Sequence, residues 1–302
     1  MIVLCGPRPP LAAILDQLGV HGPVALVTAG WQEREDDPAP DINGMPTVPL
    51  VLHQRTEDVF AHDAELAAQY KLRQIKLKSM QDFYRVRLDH AAQAARTISL
   101  RSANADLLAE EHAASLALIR HIDRDHLERC RAVHAAFDAL MVEREVLAKH
   151  VRELRDAIAP TQALVIAGGH VAVLLNRLRL FDVVGLAANR PIIAWSAGAM
   201  ALSERVVLFH DDPPQGDAIS EVLEPGLGVV RDLVLLPDAS HRLRLDDRGR
   251  VGEVAQRYAP AACVALDPGA QLWLERGRLT RSVQARVLAT SGDVAPLSGP
   301  VV

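Results

Sequence analysis

The sequence predicts an α/β protein: a three-layer sandwich around a mostly parallel sheet, interrupted by a long α-helical hairpin. Two observations carry this. Continuous apolar runs such as Ile2-Val3-Leu4-Cys5 and Ala163-Leu164-Val165-Ile166-Ala167 alternate with helical stretches, the pattern of strands covered on both faces. From about Glu57 to Ile158, Gly and Pro almost vanish while Ala, Leu, Glu, Arg and His dominate, as long helices require. With 302 residues, 49% of them hydrophobic, the chain is long for one domain, short for three, and able to bury a sizeable core. Aromatics are only 4%, so that core must be built of Leu, Val, Ile and Ala.

Taken in order, Ile2–Cys5 is a first strand ending on Gly6, and Leu11–Leu18 a helix. Pro23–Thr28 is a second strand, followed by a polar loop from Ala29 to Glu35 that would lie at the sheet's carboxyl edge. Val48–His53 reads as a third strand. The insertion, residues 58–157, reads as two long helices, Asp58–Leu100 and Asn104–Ala157, with Asn104 or Ser102 as a cap. Leu77, Met80, Tyr84, Leu88, Ala91, Ala95 and Ile98 form a stripe on the first. Cys130, Val133, Phe137, Leu140, Arg144, Leu147, Val151, Leu154 and Ile158 form a near-heptad seam on the second. Such a hairpin packs either on another subunit or back on its own domain. Within it, His121, Asp125 and His126 are too few for a metal site, and the cluster Lys71, Arg73, Lys76 and Lys78 beside Tyr70, Phe83 and Tyr84 reads as a solvated face.

The α/β pattern resumes after Pro160. Ala163–Ala167 is a strand closed by Gly168-Gly169-His170, and Val171–Leu180 a helix. Pro191–Trp195 is the next strand, and Val206–Phe209 another. Leu233–Leu236 leads to Pro237-Asp238-Ala239-Ser240-His241. A helix opens at Asp247–Arg250 and runs to Tyr258. Ala262–Asp267, Gln271–Glu275 and Leu279–Ser282 are closing strands, with a turn at Arg276-Gly277. These divisions give an α/β domain over 1–57 and 158–288, the helical insertion, and a loose tail over 289–302, rich in Gly, Pro, Ser and Ala.

A net charge of −5 argues against nucleic acid as a partner. No apolar run reaches membrane-spanning length, and the N-terminal residues lack a basic leader. Three dispersed cysteines, Cys5, Cys130 and Cys263, fit neither a disulfide framework nor a zinc site, and point to a reducing cytoplasm. No phosphate loop, dinucleotide fingerprint or metal constellation is present, so no cofactor is expected.

The chemistry concentrates after Pro160. Trp195-Ser196-Ala197-Gly198-Ala199 is a strand, a sharp turn and a helix start, with the small residues that a nucleophile elbow needs. The alternative is an ordinary packing turn. A Gly-Gly turn after the preceding strand and His241 after a later one would share the same sheet edge. With Asp211 between, the order is Ser…Asp…His: Ser196 as nucleophile, His241 as base, Asp211 as orienting acid, and the N–H groups of Gly169 and Ala197 as oxyanion donors.

Ile166-Ala167-Gly168-Gly169, the Ser196 elbow, Gly226-Leu227-Gly228, His241, Arg248-Gly249-Arg250 and Ala265-Leu266-Asp267 together resemble the S51 peptidases. That family includes aspartyl dipeptidase (peptidase E) and cyanophycinase, and belongs to the class I glutamine amidotransferase-like superfamily, with a flavodoxin-like sheet. The resemblance spans roughly residues 1–50 and 160–279 and excludes the insertion. It implies Ser196 as nucleophile and His241 as base. The dipeptidase pattern places the acid at Asp211; the cyanophycinase pattern would place a Glu where Pro268 stands. His170 replaces the usual Asn or Asp after the Gly-Gly turn and would either assist binding or cap the helix. Trp195 and Arg248 stand at substrate-side positions, with Arg242 and Arg244 nearby; the arginines would either recognise an acidic substrate or be surface charge on a loop.

Two functions are expected. One is a cytoplasmic serine hydrolase cleaving a peptide or isopeptide bond in a small substrate. The other is a catalytically silent relative, acting as a ligand-binding or assembly scaffold through the hairpin. A homo-oligomer is expected in either case, with the insertion as one route to it.

Overall fold

The computed structural model describes residues 1–37, 44–142, 144–211 and 219–298. The chain begins with β1 (Ile2–Cys5), α1 (Leu11–Gln17) and β2 (Val24–Val27), followed by a 3-10 turn over Ala29–Arg34, and continues with β3 (Thr47–Pro49). The insertion supplies α2 (Leu52–His62), α3 (Ala64–Ser99), α4 (Ala105–Asp138) and α5 (Glu145–Ile158). Next come β4 (Ala163–Ile166), α6 (Val171–Leu180), α7 (Val183–Leu186), β5 (Ile192–Trp195), α8 (Ala197–Leu202), β6 (Arg205–Leu208), β7 (Glu221–Pro225) and β8 (Leu233–Pro237). The chain closes with α9 (Ala239–Arg242), α10 (Arg248–Tyr258), β9 (Ala262–Leu266), β10 (Gln271–Glu275), β11 (Arg278–Val283), β12 (Arg286–Leu288) and β13 (Val294–Pro296).

The central sheet has seven strands in the order β11-β10-β1-β5-β4-β2-β3. The five from β1 to β3 are parallel; β10 and β11 extend them antiparallel. Side chains alternate between two cores, as the strand period of two demands. Val3, Cys5, Val165 and Ile193 pack under Leu11, Ile14 and Leu15 of α1. Leu4, Leu164, Ile166 and Ala194 face Leu174, Leu178 and Ala199 on the other side. This is a mixed α/β fold with a largely parallel sheet. A second sheet, β13-β12-β9-β8, and an antiparallel ribbon, β6-β7, complete it. No helix of the described residues is long and apolar enough to cross a membrane.

Several expectations are corrected. The third strand stops at Pro49, and His53 belongs to α2. Val51 sits at φ 43 before that helix, and the buried Glu35 carboxylate accepts its first N–H groups, from His53 (2.9 Å) and Gln54 (3.2 Å). Burial pushes the Glu35 carboxyl above its usual range, against those two bonds. The stretch read as a loose tail contributes β13, paired with β12. Neither β7 nor β12 was evident, because both are short and only their partners define them.

Each expected long helix is two. Asp63 leaves the helical region (φ −131) and caps α3 by accepting from Leu66 N–H at 2.9 Å. Arg144, extended at φ −81 and ψ 106, opens α5. Its guanidinium reaches Asp63 (3.4 Å) and Glu65 (2.9 Å), so the two breaks lie against each other. The inner pair, α2 and α5, packs together, with α2 also meeting α6 and α5 meeting α7. In the outer pair, α3 packs on α4, and α4 lies on β7 and α10. The hairpin therefore folds back on its own domain.

Polar groups rivet it there. Arg257 of α10 forms a two-pronged pair with Asp123 of α4 (both contacts 2.7 Å) and donates to Tyr84 Oη of α3 at 2.9 Å. Tyr84 Oη donates to Asp123 (2.8 Å) and accepts from Val222 N–H (2.9 Å), using all its hydrogen-bonding capacity. Tyr84 is thus core and not solvated face. So is Arg73, which lies buried against His134 and Asn176. Among the described residues no cluster of three or more metal-ligating side chains occurs; His126 instead stacks on Tyr84 and bonds the Leu223 carbonyl.

His134 is held neutral. Its Nδ1 accepts from Arg73 Nε–H at 3.3 Å, so Nε2–H faces Glu224 at 2.9 Å. Burial lowers the His134 and His126 titrations below the ordinary 6.5. The unfolded chain then takes up protons near pH 6.5 that the folded chain refuses, so stability falls as pH drops below that value. The urea midpoint is expected to decline from pH 7 to pH 5. His134→Gln puts a non-titrating polar group among Arg73, Arg179 and Glu224 and should flatten part of that slope. An unchanged slope in the variant would remove His134 as its source.

Candidate active site

The carboxyl edge of the parallel strands is built on close backbone approach. Ser196 follows β5 at φ 50 and ψ −118, a conformation a side-chain-bearing residue adopts only when its surroundings impose it. Two contacts bear on it directly, and two more hold the segments around it. Ser196 N–H donates to Cys5 O at 3.0 Å, anchoring the turn on β1. A Cβ on Gly198 would stand 2.6 Å from the Ile166 carbonyl, so α8 rests directly on β4. A Cβ on Gly168 would meet Ser196 Cβ at 3.1 Å. Gly169, at φ 120, lies where a Cβ would be 2.5 Å from the Gly30 carbonyl oxygen, which itself accepts from His170 N–H at 2.8 Å. The small residues at these positions let three consecutive strand ends converge.

Ala197 begins α8, where a helix leaves its first N–H groups without an intrahelical acceptor. Among the described residues the Ser196 hydroxyl makes no hydrogen bond, so it is not spent on structure. Burial pushes the thiols of Cys5, Cys130 and Cys263 up to about 12, so none is a thiolate near neutrality.

His241 lies beyond β8, in the second sheet. Its Nδ1 stands 2.7 Å from Asp238 Oδ1, three residues earlier on the same turn. The ring is 74% exposed, and no hydrogen bond joins it to Ser196. The two sheets meet through Gly6 and Asp267. Gly6 N–H donates to Ala270 O at 3.0 Å, and a Cβ on Gly6 would collide with the Asp267 carbonyl. Asp267 Oδ1 accepts from Ser240 N–H at 2.8 Å, next to His241, while Arg286 binds both Asp267 and the Ser240 hydroxyl. Burial raises the Asp267 carboxyl, but the Ser240 and Arg286 bonds outweigh it and hold it below the usual range.

The other expected residues fall elsewhere. Asp211 is buried and pairs with Arg250 (2.7 Å) and Arg244 N–H (2.8 Å), so it fastens the segment after His241 and does not orient the imidazole. Its neighbours Asp212 and Pro213 lie outside the described residues. Trp195 is 7% exposed and belongs to the core with α1, because the strand period points it to that face of the sheet. His170 caps α6, its Nδ1 accepting from Val173 N–H at 3.3 Å. Arg248 pairs with Asp293 (2.8 Å) and Arg242 lies over the Phe209 ring. A cavity of about 530 Å³ opens between the hairpin and α10, lined by Asp211, Arg250 and Arg257 among others, and includes neither Ser196 nor His241. The residue that sequence reasoning missed is Asp238; its signal was the three-residue spacing to His241 on a short helical turn.

No family model matches the chain, and no curated protein does. Among solved structures the chain is similar to a peptidase from an acI-B1 Actinobacterium, at 13% identity and a TM-score of 0.35. The likeness covers 51% of this chain and 65% of that one, so the chain spans less than two thirds of that peptidase's length. At that TM-score the likeness carries no functional argument.

The convergence at Gly169 can be tested. Gly169→Ala is expected to cost about 1–3 kcal/mol, because it adds a Cβ at a left-handed φ against a carbonyl oxygen that cannot retreat. Urea unfolding measures it; a loss well under that range would show that the Gly30 turn yields freely.

Proposed function

We propose that this chain is a serine hydrolase of the S51 type, with a class I glutamine amidotransferase-like domain, cleaving an amide bond in a small peptide-like substrate. The observation that carries the reading is the strained Ser196 turn, whose hydroxyl is unused and whose backbone is anchored on Cys5 of β1 and packed against Gly168. In the proposed reaction Ser196 Oγ attacks the substrate carbonyl carbon while His241 Nε2 takes its proton. The oxyanion accepts from Ala197 N–H, with Gly169 N–H as the second donor. His241 then protonates the departing amine, and a water activated by the same nitrogen hydrolyses the acyl-enzyme. Asp238 is the orienting acid: accepting from Nδ1–H leaves Nε2 bare and facing outward as the base. The reading requires Ser196 and His241 to come together when substrate binds.

One observation favours a second reading. The exposed imidazole, unjoined to Ser196, also fits a silent member of the same fold that binds a peptide or serves as a scaffold.

A fluorophosphonate probe separates the two. The hydrolase reading expects labelling of the wild type, and none of Ser196→Ala. Asp238→Asn should slow labelling by roughly 10²–10⁴-fold, the usual worth of a positioned general base. Asp211→Asn should lower the melting temperature yet leave the labelling rate of the folded protein nearly unchanged. A folded wild type that resists the probe would support the silent reading.

A further inference from the structure

The outer face of α3 carries an apolar stripe that the fold does not cover. Leu72, Ile75, Phe83 and Val86 are 59%, 53%, 67% and 56% exposed. At 100° per residue these four and the exposed Ser79 fall within about 80° of one another, a single seam roughly 21 Å long. The opposite side of α3 is the one that packs: Met80, Tyr84, Leu88 and Ala91 are buried. The stripe is therefore not a core face left open by the hairpin, but a second face on the same helix.

Its pattern is two-fold. Counting outward from Ser79, Ile75 and Phe83 lie four residues to either side, and Leu72 and Val86 seven. The flanking charges are polarised along the helix. Lys71, Lys76 and Lys78 precede Ser79, and Asp82 and Asp89 follow it. The arginines of the second half are already committed: Arg85 binds Glu221 (2.7 Å) and Arg87 binds Asp125 (2.9 Å). Asp82 touches Arg85 only at 3.7 Å.

We propose that this stripe is the contact of a homodimer, in which α3 of a second copy of this chain lies antiparallel across it with Ser79 at the two-fold axis. A symmetric dimer needs a self-complementary patch, and antiparallel pairing supplies one. It sets Leu72 near the copy's Val86 and Ile75 near its Phe83. It brings the lysine half of each helix to the aspartate half of the other, and the small Ser79 side chain allows the helices to approach closely. Parallel pairing would set lysine on lysine. An anionic lipid surface would favour basic flanks along the whole stripe, and the aspartate half opposes that. A seam this short belongs with small interfaces, so the dissociation constant is expected near the micromolar range.

Sedimentation velocity of the full chain across the micromolar range tests this. A concentration-dependent dimer is expected. Ile75→Asp with Phe83→Asp should raise the dissociation constant at least about tenfold while leaving circular dichroism and melting temperature intact, since both side chains are exposed. Lys71→Asp with Lys78→Asp should weaken the dimer, and adding Asp82→Lys and Asp89→Lys to the same chain should restore it. Under oxidation Ser79→Cys should cross-link into a covalent dimer and Leu72→Cys should not; the native cysteines are buried and contribute no background. A monomer at every concentration, a dimer indifferent to the Ile75 and Phe83 changes, or equal cross-linking at positions 72 and 79 would each overturn the proposal.

Discussion

The buried pair between Arg257 and Asp123 is the interaction on which the arrangement of the insertion depends. An insertion of this length gains little by lying on a sheet unless something selects one position over its neighbours. Arg257 does so because its donors are spent on three different elements: Asp123 on α4, Tyr84 on α3 and the Ser220 carbonyl before β7, at 2.6 Å. Rotating or sliding either helix by one residue would strand a charge in the core. Leaving one partner of such a pair unsatisfied costs about 3–5 kcal/mol, whereas an apolar replacement of the whole group costs little. The pair's contribution is thus to register more than to net stability. Glu224, His134, Arg179 and Arg73 repeat the logic about three helical turns away, tying α3 and α4 to α6 and β7. Burial raises the Glu224 carboxyl, yet the His134 bond and the Arg179 charge keep it ionised.

The carboxyl edge divides differently. At the Ser196 turn the backbone is held by backbone, with Gly169 and Gly198 at spacings too short for a Cβ, so the position of Ser196 is set by the sheet. The His241 turn hangs on side chains: Asp267 beneath it, Arg286 beside it, Asp238 within it. Ser196 is thus set by the sheet, whereas His241 is carried on an exposed turn of a second sheet and held by its neighbours' side chains. Asp211 and Arg250 pin the other end of that turn, through Arg244 N–H and the Arg242 carbonyl. Asp211 is therefore a strut for the segment that follows His241.

How much was legible follows from which forces act locally. Continuous apolar runs gave the buried parallel strands, since covering both faces leaves little room for polar side chains. The helix Val171–Leu180 was legible to its last residue, because a Gly-Gly turn starts it and its periodicity is unbroken. Asn104 emerged as a cap for the same local reason, accepting from Asp106 N–H at 2.8 Å. The break at Arg144 was not legible as a break. Its seam of three- and four-residue spacings runs on correctly in α5, with Leu147, Leu154 and Ile158 buried, but the interruption is stabilised by Asp63 and Glu65, some eighty positions away. Strands β7, β12 and β13 were missed because an edge strand of three to five residues is defined by its partner.

The sequence by itself determined the strands of the parallel sheet, the place of the strand-to-helix turn at Ser196 and the small residues that make that turn possible, since each follows from periodicity or from the room a residue needs. Only the tertiary structure decided which acid stands behind His241. The paths of β8 and α10 give Asp211 to Arg250, 39 positions away, a pairing with no signature in the order of the residues, and leave the imidazole to Asp238 on its own turn. It also decided that the second apolar stripe of α3 stays exposed. The stripe through Leu77 and Tyr84 and the stripe through Ile75 and Phe83 are equally apolar on paper, and one is buried because Asp123 and Arg257 are there to receive Tyr84.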